Sequence, residues 1–133
     1  MPNELYVILL GRYTKIGVYR VLDVYIPENC KKFGSPHHVT VQPRWWDEAK
    51  EIASAQKMRL LGDLHTHPPL DDFECKEPAP STTDLEGYDF LYYQTRLDAP
   101  ITGVCAMYQS KRGVEMNIQF YIAANHPVLK ITA

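Results

Sequence analysis

The chain has 133 residues, of which 45% are hydrophobic and 23% charged, with a formal net charge of −2. That size and balance predict one globular domain, spanning 1–133, with a buried core; its α/β class follows from the order of its predicted elements. They exclude the basic footprint of a nucleic-acid binder, and no apolar run is long enough to span a bilayer.

Residues 4–11, ELYVILLG, read as a buried strand ending at Gly11. No basic segment precedes this run, so it does not read as a secretory signal. Residues 16–26, IGVYRVLDVYI, alternate and are rich in β-branched side chains, which predicts a second strand stopped by Pro27. A loop follows over 27–36, then a short strand over 38–42, HVTVQ.

The period changes at Pro43, a residue suited to the first turn of a helix. Trp46, Ala49, Ile52 and Ala53 fall on one face through 44–57. Trp45 and Trp46 read as packing residues, with one indole free to meet a partner. Residues 58–67, MRLLGDLHTH, return to strand character. The next stretch, 68–80, holds four prolines and four carboxylates and reads as a loop. A second helix is expected from Ser81, with Leu85, Tyr88 and Tyr92 on one face. Residues 101–109 and 114–123 read as a closing hairpin around SKRG. The predicted order is β-β-β-α-β-α-β-β, which implies a mixed sheet with flanking helices.

Cys30, Cys75 and Cys105 are far apart and form no C-x-x-C pair. This pattern fits a reducing cytoplasm rather than a disulfide scaffold. His37, His38 and His126 read as ordinary loop or surface residues.

The chemistry-bearing stretch is Gly62 to Pro68, GDLHTHP. Residues i and i+2 of a strand share a face, so His65 and His67 project together while Thr66 points away. Two neutral imidazoles so placed suit one metal ion, and the two prolines that follow put the pair at a strand end opening into a loop. Two ordinary strand histidines would give the same letters. A catalytic metal also needs a third ligand, an open position and a base. Asp63, on the histidine face, and Asp84, in PSTTD, are the candidates for the third ligand. Ser81 and Asp84 equally fit a helix-capping box, although such a box usually ends in Glu or Gln. Glu4, read alone, is a solvated charge near a terminus.

DLHTH is similar to the opening motif of amidohydrolase and PHP phosphoesterase barrels. Those folds typically need about 200 residues or more, and this chain is too short for them. HTHP followed by PSTTD, with PNELYVILLG upstream, resembles the JAMM (MPN-plus) zinc metallo-isopeptidase family. Pro2, Glu4, Leu9 and Gly11 fall in the register of the family's upstream motif, with Val7 where a glycine is usual. The resemblance covers most of the chain and implies an MPN/JAMM domain, with an architecture similar to that of cytidine deaminases. A deaminase itself is not expected, because H-x-E and P-C-x-x-C signatures are absent.

By that resemblance His65, His67 and Asp84 would hold one zinc ion per chain. Glu4 would be the general base and Ser81 a hydrogen-bond donor to the oxyanion. The implied activity is hydrolysis after the C-terminal tail of ubiquitin or a ubiquitin-like modifier, with no nucleic acid and no membrane involved. The rival is an MPN-type scaffold without catalysis; such scaffolds typically lack one or more of the ligands.

Two features depart from the family. The spacer between His67 and Asp84 is longer, the excess falling in the acidic 68–80 loop that carries Cys75. It reads as a surface insertion or as a flap that screens substrates. The family's leading helix is also not matched by residues before Glu4. The sheet surface it would cover invites a homodimer or a partner protein over the N-terminal region.

Overall fold

The computed structural model describes residues 4–14, 18–28, 30, 39–67, 87–122 and 130–131. Their elements are β1 (Tyr6–Tyr13), β2 (Tyr19–Tyr25), α1 (Pro43–Ala55), β3 (Arg59–His67), α2 (Tyr88–Thr95), β4 (Ile101–Ser110), β5 (Gly113–Ile122) and β6 (Lys130–Ile131). The strands form one mixed sheet in the order β2-β1-β3-β4-β5-β6. Only β3 and β4 run parallel; the other neighbours are antiparallel. A parallel pair needs a crossover rather than a tight turn, and α2 lies on that connection.

One face of the sheet carries Tyr6, Ile8, Leu10 and Leu60, covered by Trp45, Trp46, Ala49 and Ala53 of α1 and by Leu91 of α2. Both described helices therefore lie on this face. Both indoles are 1% exposed, so the expectation that one indole is free to meet a partner is corrected. Pro43 starts α1 as expected, and Ile52 proves to lie at the rim of the buried stripe.

The opposite face packs Leu9, Leu61, Leu97 and Ile101, with Val7, Leu64 and Phe120 beside them. Exposed apolar side chains remain there on β5, at Val114, Met116 and Ile118. On β2, Val21, Leu22 and Val24 are exposed as well.

Three expectations change. Among the described residues of the predicted 38–42 strand, only Val39 makes an isolated β-bridge. Val39 and Val41 instead press against the α1-side core. Their alternation is satisfied by burying two valines from an extended segment, without a ladder. In α2, Tyr92 is exposed while Leu91 and Thr95 are buried. Phe90, Leu91, Tyr92 and Tyr93 surround this short helix with apolar surface, so the sheet, not a stripe in the sequence, selects the inner side. Leu85 and the predicted start at Ser81 lie outside the described residues. Finally, β6 was not expected.

No helix among the described residues is long and apolar enough to cross a membrane.

Candidate metal centre

A bulge in β3 decides which face the histidines occupy. Leu9 pairs with Gly62 and Leu10 with Leu60, leaving Leu61 as the extra residue. Strict alternation from Leu60 would put Gly62, Leu64 and Thr66 on the helix-covered face. The extra residue inverts that phase, so Leu61 and Leu64 join the opposite core. Asp63, His65 and His67 then share the face of Leu60, Tyr6 and the tryptophans. Gly62 makes the bulge sterically feasible. Its φ is +153°, and a Cβ there would sit 1.6 Å from the carbonyl oxygen of Ile101.

β1 lies antiparallel beside β3, with Tyr6 opposite His65 and Ile8 opposite Asp63. The pairing continues one step past the strand: Thr66 N–H donates to the Leu5 carbonyl at 2.9 Å. Leu5 N–H donates in return to the Thr66 hydroxyl at 2.8 Å. This places Glu4 beside His67, with Glu4 Oε1 3.5 Å from His67 Nε2. Glu4 is 5% exposed, so its reading as a solvated terminal charge is corrected: the β1–β3 pairing carries it into the protein.

The two imidazoles meet at their outer nitrogens. His65 Nε2 and His67 Nε2 are 2.9 Å apart, with ring centroids at 4.7 Å and planes at 62°. Two neutral rings at that distance need one N–H donor facing one lone pair. A cation that draws both lone pairs replaces that arrangement. His65 is buried and His67 half-buried, so the group opens to solvent on the His67 side.

Glu4, His65 and His67 each bring one ligand atom, and these atoms lie within 4.8 Å of one another. Two imidazole nitrogens and a carboxylate oxygen suit zinc and equally other divalent transition metals. The donor set fits a metal without selecting zinc. Ser81, Asp84, Cys75, His37, His38, His126 and the 68–80 loop lie outside the described residues.

Asp63 belongs to a different set of contacts. Thr102, its neighbour on β4, donates to Asp63 Oδ1 at 2.6 Å. The Tyr6 hydroxyl accepts from Trp46 Nε1 at 3.2 Å and lies near enough to this carboxylate to feel its charge. Burial, and then the charge of Asp63, push the Tyr6 hydroxyl well above the usual tyrosine range. Tyr6 thus stays a neutral hydroxyl at ordinary pH. Sequence reasoning missed Tyr6, although its period-2 spacing from Glu4 was a readable signal. Thr102 and Trp46 gave none, because only strand pairing and helix packing bring them to Asp63.

Cys30 and Cys105 are free and buried, and burial raises both thiols. Cys30 Sγ accepts from Tyr6 N–H at 3.2 Å and lies 3.4 Å from the Tyr6 carbonyl. It therefore occupies the β1 edge just beyond the last β2 pair.

Comparison with protein-family models gives no match, and comparison with curated proteins gives no significant one.

Proposed function

We propose that this chain is a zinc-dependent isopeptidase or peptidase of the JAMM, deubiquitinase-like type, acting in the cytoplasm. The observation that supports the reading most is the convergence of Glu4 on His65 and His67. The HTHP motif and the upstream glutamate motif were matched separately in the sequence, and the fold brings their key residues together. A mixed sheet with helices packed on it is compatible with an MPN domain of cytidine-deaminase-like architecture.

In this reading His65 and His67 hold zinc, with Asp84 as the third ligand carried over from the family motif. Zinc, when bound, supplies Lewis-acid polarisation of the scissile carbonyl and lowers the pKa of water. The Glu4 carboxylate acts as general base, taking a proton and passing it to the leaving amine. Its burial beside His67 holds it close to the cluster. Ser81 donates a hydrogen bond to the developing oxyanion. The substrate would be the extended C-terminal tail of ubiquitin or a ubiquitin-like modifier, read through backbone hydrogen bonds.

Metal analysis of the purified protein, joined to cleavage of a panel of modifier–lysine conjugates, tests this. One zinc per chain and cleavage abolished by Glu4→Gln is the expected result. Protein that takes up no metal under non-chelating conditions would overturn it in favour of an MPN-type scaffold.

A further inference from the structure

Three rows of side chains cross the helix-covered face at the metal centre. Glu4 lies beside His67; Tyr6 pairs with His65, which pairs on its other side with Val104; Ile8 pairs with Asp63, which pairs on its other side with Thr102. Asp63 therefore stands one row deeper than His65, roughly 7 Å along the strand at the usual rise. It is 9% exposed, and its partners Tyr6 and Thr102 are 3% exposed each.

A carboxylate in such surroundings is costly unless it is hydrogen-bonded, and an apolar residue would fill the place without that cost. Two hydrogen bonds serve this group: Trp46 N–H donates to the Tyr6 oxygen, and the Thr102 hydroxyl donates to Asp63 at 2.6 Å. The Thr102 proton is thereby committed to the carboxylate, and Asp63 also acts on the Tyr6 hydroxyl through its charge. Tyr6 is held at both ends: Trp45 stacks on its ring at 5.9 Å, and Trp46 donates to its hydroxyl. The ring opposite His65 is thereby fixed.

We propose that Asp63 is a positioning residue of the metal centre. With Tyr6 and Thr102 it fixes the inner wall against which His65 rests, and it places a further carboxylate one row from the cation site. This rests on the proposed reading in which His65 and His67 hold a metal ion beside Glu4. Groups that orient metal-ligating side chains tune metal affinity, and a carboxylate roughly 7 Å from a divalent ion acts on it through its field, about 1 kcal/mol or close to tenfold even in high dielectric.

The test compares wild type, Asp63→Asn and Thr102→Val for Zn2+ affinity by chelator competition and for the visible absorption of bound Co2+. Melting of the metal-free proteins is measured alongside. Asn keeps the shape and an acceptor and removes the charge. Asp63→Asn is expected to weaken Zn2+ roughly 10-fold and alter the Co2+ spectrum, with a smaller loss in Thr102→Val. Folded Asp63→Asn with wild-type affinity and spectrum would overturn the proposal and leave the cation reading standing. A lower metal-free melting temperature with unchanged affinity would do the same. If Asp63→Asn does not fold, unchanged affinity and spectrum in Thr102→Val overturn it. Wild type that binds neither ion removes both readings together.

Discussion

Leu5 and Thr66 are joined twice, by Thr66 N–H to the Leu5 carbonyl at 2.9 Å and by Leu5 N–H to the Thr66 hydroxyl at 2.8 Å. Thr66 points away from the metal centre, yet its hydroxyl secures the residue next to Glu4. Thr66→Val removes one part-buried hydrogen bond, worth about 1 kcal/mol of stability. Its larger effect is to loosen Glu4. We expect conjugate cleavage to fall several-fold more than the stability loss alone explains, with Zn2+ uptake retained and Thr66→Ser restoring both. Equal activity in Thr66→Val would show that Glu4 needs no such anchor.

His65→Ala and Glu4→Gln should separate two roles. His65→Ala, which removes one of the proposed ligands, is expected to abolish stoichiometric zinc. Glu4→Gln keeps an oxygen beside His67 and is expected to retain zinc while losing at least about 100-fold in turnover, as for loss of a general base. Metal analysis and steady-state kinetics on the same preparations decide. A Glu4→Gln protein that loses its zinc would make Glu4 a ligand rather than a base.

Gly62→Ala tests the bulge. An added Cβ would meet the Ile101 carbonyl at 1.6 Å from a backbone at φ +153°. Combined strain and overpacking of this kind cost about 2–4 kcal/mol. Because Gly62 sets the phase that puts the histidines on the helix-covered face, metal uptake should fall with stability. Denaturant unfolding together with zinc titration reads both.

Alkaline pH should destabilise the fold in a defined window. Burial and a hydrogen bond to Glu48 push Tyr25 from 10.0 up to about 12. Burial, followed by Tyr13, does the same for Tyr19. Each ionises near 10 in the unfolded chain and later in the fold. The stability they contribute is therefore complete below pH 10 and lost as pH rises from 10 to about 12. Tyr19→Phe/Tyr25→Phe should flatten that fall in denaturant midpoints. An equally steep fall in the double variant would assign it to other groups.

Val21, Leu22 and Val24 on β2 are exposed, and they are the side chains that a homodimer or partner over the N-terminal region would be expected to meet. Light scattering across a concentration series checks the dimer, and a strict monomer at all concentrations counts against it.

Local pattern carried much of this molecule. The strand character of β1 to β5, the Pro43 helix start and the shared face of His65 and His67 all follow from short-range pattern, which neighbouring residues set by themselves. Tertiary structure decided which face that was, because the Leu61–Gly62 bulge inverts the phase and leaves no clear mark in RLLGDLHTH. It also chose Leu91 over Tyr92 in α2, since a helix apolar on several sides takes its inner side from the sheet it meets. Glu4 shows the difference most directly. The residue type is in the sequence, but its burial at 3.5 Å from His67 exists only because β1 and β3 pair in one register, and that pairing joins segments too distant in the chain for local pattern to relate.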